Sequence, residues 1–213
     1  AHYDQGFHPT ATCGAFGASA AAGRLLGLDA AGHASAFGIV LSMAAGSMQF
    51  LVNGAWTKRS HVGHAAMCGL MAATLAREGY KGASESLEGK WGFLHAYAPA
   101  ADAAKAVDGL GRRWETLKIA VKPYPSCRYG HAPLDGILAL AREHRIQPDE
   151  VEEVVVGLPE PGWKLIGDPE PAKQAPKSVV DGQFSMAFCA SVALRSGGFG
   201  WDDYARHLGD PAT

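Results

Sequence analysis

The sequence predicts a mainly α chain that closes with a smaller α+β unit, and three observations predict it. Apolar residues recur at 3–4 spacing in the first half, as in Phe37, Val40, Leu41, Ala44 and Met48, the stripe of a packed helix. Residues 65, 66, 69, 72, 73 and 76 are all Gly or Ala, which lets a neighbouring helix approach closely. From Trp114 the period changes to two: Leu117, Ile119 and Val121 alternate with Lys118, Ala120 and Lys122, the pattern of a half-buried strand. The domains implied are a helical one over 1–113 and an α+β one with C-terminal helices over 114–213.

Residues 6–16, GFHPTATCGAF, read as a loop fixed by Pro9 and rich in hydroxyls. A helix is expected from Gly17 through Leu25 and Leu26, closed by Gly27 and restarted with Asp29 as N-cap. Gly46 and Asn53-Gly54 break the next helix. The one after it starts near Ser60, presents Val62, Ala66, Gly69, Leu70 and Ala73 on one side, and stops at Gly79. Residues 84–88 read as a short turn and 92–108 as a loop with a weak helix. Pro123 and Pro125 end the first strand. Leu134, Ile137, Leu138 and Ala141 mark a helix, and Val151–Leu158 reads as a second strand, so strand, helix and strand make a small α+β unit. The Pro-rich 159–176 follows as a loop without structure, of a length that is more often functional than incidental. Helices are expected around Phe184, Phe188 and Val192 and over Trp201–Leu208, the last ended by Gly209.

The bulk numbers exclude several function classes. A chain of 213 residues can bury about 70 % of its unfolded surface, and a hydrophobic fraction of 47 % argues against disorder. The net charge of −2 leaves no electrostatic footprint for nucleic acid. No apolar run reaches the roughly 18 residues that a membrane span requires, so no membrane partner is expected. Cys13, Cys68, Cys127 and Cys189 lie far apart with no CxxC pair, which reads as reduced thiols in a cytoplasmic protein. The opening AHYDQG has no Met and no capping signal, which predicts a piece of a longer chain.

Two basic segments carry the candidate chemistry. WTKRSHVGH, residues 56–64, sets Lys58, Arg59, His61 and His64 close together at the start of a helix. Cationic side chains and a helix N-terminus aimed at one place suit a carboxylate or a phosphate; the alternative is a solvated surface loop. VKPYPSCRYGH, residues 121–131, gathers Lys122, Cys127, Arg128 and His131 where a strand leaves its sheet. With His8 and Thr10 near the start, three separated loops offer Lys, His and hydroxyl groups, whose common target would be a small polycarboxylate. Cys127 and His131 make two metal ligands, which is not a site, and no metal or organic cofactor is expected. GxxxxGK[ST], GxGxxG, GxSxG and HExxH motifs are absent. His2, His33, His95, His144 and His207 read as structural, and Asp135 and Asp149 as cap or surface acids.

GFHPTATCGAFGASAAAGRLLGLD, WTKRSHVGHAAMCGLMAATLAREGYKG and KPYPSCRYGHAPLDGILAL together resemble the MmgE/PrpD family, in the same motif order and over nearly the whole chain. That family includes 2-methylcitrate dehydratases, cis-aconitate decarboxylases and iminodisuccinate epimerases. The resemblance implies a large helical domain with a smaller α+β lid, a site in the cleft between them, and a homodimer. It also implies that an N-terminal helical part of the family is missing here. Residue by residue it implies a pocket role for His8, Lys58 and Lys122. Cys127 stands where the decarboxylases have a histidine, which favours dehydration, and Phe188 ends an FSMAF motif that often ends in tyrosine. The expected reaction is dehydration of a small hydroxy-polycarboxylate such as 2-methylcitrate. His8 or His61 would move the proton next to a carboxylate, and Lys58 and Lys122 would stabilise the charge that develops. Thr10, Arg59, Cys127, Arg128 and His131 would bind substrate. The alternatives are epimerisation or decarboxylation of a related diacid, or an inactive fragment that serves as an interaction module.

Overall fold

Pro9 opens the first helix. The computed structural model, which describes residues 2–98, 101–211 and 213, gives α1 as Pro9–Leu25. Proline at the first helical position has its φ preset and its missing N–H goes unneeded. The helix therefore begins well before Gly17, and residues 9–16 are helical rather than the expected loop. Asp29 caps α2, Ala30–Leu41, by accepting a 2.8 Å hydrogen bond from the Gly32 amide. The helix α3 spans Thr57–Arg77, starting one turn before the expected Ser60, and Gly79 follows it at φ +88°.

Small side chains decide how these helices meet. A Cβ on Gly14 would stand 3.3 Å from the Ala65 Cβ, and one on Gly69 would stand 2.4 Å from the Ala18 Cβ. The pairs 14–65 and 18–69 keep a constant sequence offset, so α1 and α3 run parallel, N-terminus beside N-terminus. Ala15, Phe16, Ile39, Val40, Ala65, Cys68, Ala72 and Phe93 form the core around them. This corrects the face expected for α3. Gly69 and Ala73 are buried, but Val62, Ala66 and Leu70 are exposed, and His61, Ala65, Cys68 and Ala72 point inward instead. Close helix approach selects the row of smallest side chains over the row of largest hydrophobicity.

The chain divides into two compact units, one made of residues up to Phe50 with Trp56–Leu117, the other of Leu51–Ala55 with Lys118–Thr213. In the second, α4 (His131–His144) packs on α5 (Met186–Ser196), whose N-cap Ser185 accepts from the Phe188 amide at 3.0 Å. Phe188 stacks on Tyr204 with ring centroids 5.8 Å apart. Short helical turns at Glu160–Gly162, Trp163–Gly167 and Pro171–Gln174 occupy the segment that was expected to lack structure. The two expected strands are not formed. Glu115–Lys118 is a 3-10 turn, Ile119 and Val121 are exposed, and 151–158 has no ladder partner. Among the described residues the sole β pairing is an isolated antiparallel bridge between Phe7 and Ser47. A period of two shows which side chains share a face; a ladder also requires a second backbone at hydrogen-bonding distance. Among the described residues no helix is long and apolar enough to cross a membrane.

Candidate functional site

Parallel packing places the starts of α1 and α3 side by side, and the first cluster forms there. His8 is the N-cap of α1, in an extended conformation, and its amide donates to the Gly46 carbonyl at 2.9 Å. The Phe7–Ser47 bridge beside it fixes the same segment. His61 lies in the second turn of α3. The two rings meet through their Nδ1 atoms at 2.9 Å, and each residue is only 8 % exposed. Phe50 presents its ring edge-on to both, at 5.7 Å from each. The Lys58 ammonium, one turn before His61, lies 6.0 Å from the same Phe50 ring.

Burial and positive neighbours keep this pair neutral. Burial, then His61 and Lys58, lower the His8 pKa to about 4. His61 is lowered by burial and then by His64 and Lys58. Both rings are thus imidazole near pH 7, the form that can accept a proton. The positive ends of two helix dipoles at the same place act in the same direction and favour an anion nearby. Thr12 was not anticipated as a supporting residue. Its hydroxyl lies 2.8 Å from His2 Nε2 and donates to the His8 carbonyl at 3.4 Å, while His2 Nδ1 lies 3.2 Å from the Tyr97 carbonyl oxygen. The signal available in the sequence was a hydroxyl four residues after His8. Thr10 and Arg59 are exposed, Arg59 sitting over the Trp56 ring at 5.2 Å.

The second unit holds a separate cluster. Lys122 Nζ donates to the Ser126 carbonyl at 2.9 Å, and His131 Nε2 lies 3.3 Å from the same oxygen. His131 is the first residue of α4 and is buried, edge-on to Tyr124, whose hydroxyl donates to Asp135 at 2.6 Å. Burial is the largest influence lowering the His131 pKa; the Ser126 carbonyl opposes it. Cys127 is half-buried with its amide bonded to the Gln183 carbonyl, and Arg128 is exposed. Cys189 is buried and its thiol is pushed up to about 12 by burial, which makes it a poor nucleophile. A hollow of about 920 Å³ lies elsewhere in this unit against α5, lined by side chains such as Val154, Trp163, Met186 and Leu194. None of the candidate residues lines it.

Residues 1–106 match the profile of the MmgE/PrpD N-terminal domain, and residues 124–213 that of the MmgE/PrpD C-terminal domain. The chain is similar to a cis-aconitate decarboxylase of Aspergillus terreus, 32 % identical over 204 residues that cover 90 % of this chain and 41 % of that protein. It is also similar to the cis-aconitate decarboxylase-like protein oryM of Aspergillus oryzae, at 29 % identity over 97 % of this chain and 45 % of that protein. The mouse cis-aconitate decarboxylase is 28 % identical over 87 % of this chain and 38 % of its own length. The chain thus spans about two-fifths of the length of these relatives.

Proposed function

We propose, starting from the fact that this chain belongs to the MmgE/PrpD family, that the whole protein is a lyase acting on a small polycarboxylate. The observation that carries this reading is the buried His8–His61 pair beside Lys58 at two helix N-termini. Breaking a bond next to a carboxylate requires a proton to be moved and negative charge to be stabilised. Neutral imidazole does the first. The Lys58 ammonium and the helix ends do the second, in surroundings drier than water.

Decarboxylation is the first reading, supported by the likeness to relatives named as cis-aconitate decarboxylases. There the carbon–carbon bond to the carboxylate breaks, carbon dioxide leaves, and the electron pair left on carbon takes a proton. Dehydration of a hydroxy-polycarboxylate such as 2-methylcitrate is the second reading, supported by Cys127 in the PSC motif. There a C–H proton goes to imidazole and hydroxide leaves with a proton as water. Assembly as a homodimer belongs to the same proposal, and light scattering of the purified full-length protein that gives a monomer mass at all concentrations would remove it.

The deciding experiment offers the full-length protein cis-aconitate and 2-methylcitrate in turn, following carbon dioxide release and water loss. Turnover of one of them is expected, with kcat/KM reduced by about 100-fold or more in His8→Gln and in Lys58→Ala. Lys122→Ala tests the second cluster by the same readout. No turnover of either acid, or His8 and Lys58 variants within a few-fold of wild type, would overturn the reading.

A further inference from the structure

Two neutral imidazoles joined through Nδ1 and Nδ1 cannot be alike. The 2.9 Å contact needs one N–H and one lone pair, since two lone pairs or two N–H groups at that distance repel. A neutral imidazole carries a single proton. The ring that donates from Nδ1 therefore has a bare Nε2, a base. The ring that accepts at Nδ1 must carry its own proton on Nε2, an acid. We propose that His8 and His61 form a two-ended proton relay, one outer nitrogen taking a proton while the other gives one up. This deepens the lyase reading and rests on it.

The step balances. In dehydration a substrate C–H proton goes to the bare Nε2, and its electron pair stays on the substrate; in decarboxylation no C–H bond breaks, and the entering proton comes from solvent. That ring then passes its Nδ1 proton to the Nδ1 of its partner, and the partner releases its Nε2 proton to the leaving hydroxyl or to a carbon being protonated. One proton enters, one leaves, and the pair is neutral before and after with its two tautomers exchanged. Proton exchange with solvent at the outer nitrogens resets it. A single histidine would have to hold an imidazolium between the two events. Here the charge crosses to a second ring within hydrogen-bond distance.

The surroundings fit this use. Phe50 stands edge-on to both rings, which excludes water from the shared proton without competing for it. Lys58 and His64 on α3 are the charged and titratable groups that press on the pair and oppose its holding a net charge. On the α1 side the supporting groups are the Thr12 hydroxyl on the His8 carbonyl and, behind it, His2. Each ring acts through its own Nε2 on the outer side and through Nδ1 on its partner, so loss of either ring breaks the relay.

The test is nitrogen NMR on the full-length protein with 15N-labelled histidine, assigned with His8→Gln and His61→Gln. At pH 7 two rings should show opposite tautomers, with a nitrogen–nitrogen coupling across the shared hydrogen bond that vanishes in either variant. Two Nε2–H tautomers without coupling in the wild type would overturn the relay, and the absence of any nitrogen–nitrogen coupling among the wild-type histidines is read without a variant. In kinetics, His61→Gln should lower kcat by about 100-fold, leave KM within a few-fold and remove one limb of the pH profile. A kcat and pH profile like wild type would overturn it. Coupled tautomers in a protein that turns over neither acid would sink the lyase reading and keep the pair; turnover without coupling would do the reverse.

Discussion

Replacing Gly69 by alanine adds one methyl group where α1 and α3 touch. That methyl would stand 2.4 Å from the Ala18 Cβ, 2.5 Å from the Ser19 nitrogen and 2.6 Å from the Ala18 carbonyl carbon. Non-bonded carbons rest at about 3.5–4.0 Å, and two of the three obstacles are backbone, which no rotamer change can move. The helices must therefore separate by about 1 Å, loosening the Gly14–Ala65 contact one turn away. Overpacking of this kind costs about 1–3 kcal/mol or more, while alanine in a helix recovers about 1 kcal/mol relative to glycine. The balance expected is a net loss of up to about 2 kcal/mol, which for a chain of this size lowers Tm by up to about 8 °C. Gly63 is the control, since it lies on the same helix and a Cβ there meets nothing within 4 Å. Gly63→Ala should raise stability by up to about 1 kcal/mol. Urea unfolding and thermal scans of both variants read the difference. If Gly69→Ala is as stable as Gly63→Ala, α1 and α3 do not cross at Gly69.

Acid should weaken the fold before most carboxylates titrate. His8 has a folded pKa of about 4 against an ordinary 6.5, so between those values the unfolded chain binds the extra proton and stability falls as pH falls. The slope is at most about 1.4 kcal/mol per pH unit for one such group; His61 and His131, lowered too, steepen it. Urea unfolding at pH 6.5 and pH 5.0 checks the sign, and stability unchanged or higher at pH 5.0 contradicts it. Tyr204→Phe removes the 2.8 Å hydrogen bond to the Pro125 carbonyl and keeps the stack on Phe188. That carbonyl still takes the Gln183 amide at 3.2 Å, so a loss of about 1 kcal/mol is expected. Alkylation at pH 8 followed by mass spectrometry should label exposed Cys13 and spare Cys189, whose thiol is buried and pushed up to about 12. Rapid labelling of Cys189 in the folded protein would show that α5 opens.

The caps and stops were legible in the sequence because each is a local event. Asp29 could be read as a cap and Gly79 as a stop from the residues on either side. Which face of α3 is buried depends on what lies across from it. Hydropathy ranks Val62 and Leu70 above Ala65 and Cys68, yet the latter pair is inside. The run of Gly and Ala was the better guide, because only small side chains allow two helix backbones to approach this closely. The alternation at Leu117–Val121 was real as a pattern, but no property of those residues says whether another backbone lies within 5 Å. The candidate residues were legible by chemical type. That His8 and His61, 53 positions apart, share one hydrogen bond was not, since it depends on how far α1 and α3 slide along each other.

That sliding ties packing to chemistry. The contacts 8–61, 14–65 and 18–69 run down one parallel seam, so the register fixed by Gly14 and Gly69 also fixes the distance between the two imidazoles. Any substitution that pushes α1 from α3 should lengthen the Nδ1–Nδ1 contact, even from ten residues away. Gly69→Ala is then expected to weaken the nitrogen–nitrogen coupling and the activity together with stability, and Gly63→Ala to leave both intact. A Gly69→Ala protein that loses stability but keeps the coupling at full strength would show that the segment held by Gly46 positions His8 without help from the helix seam.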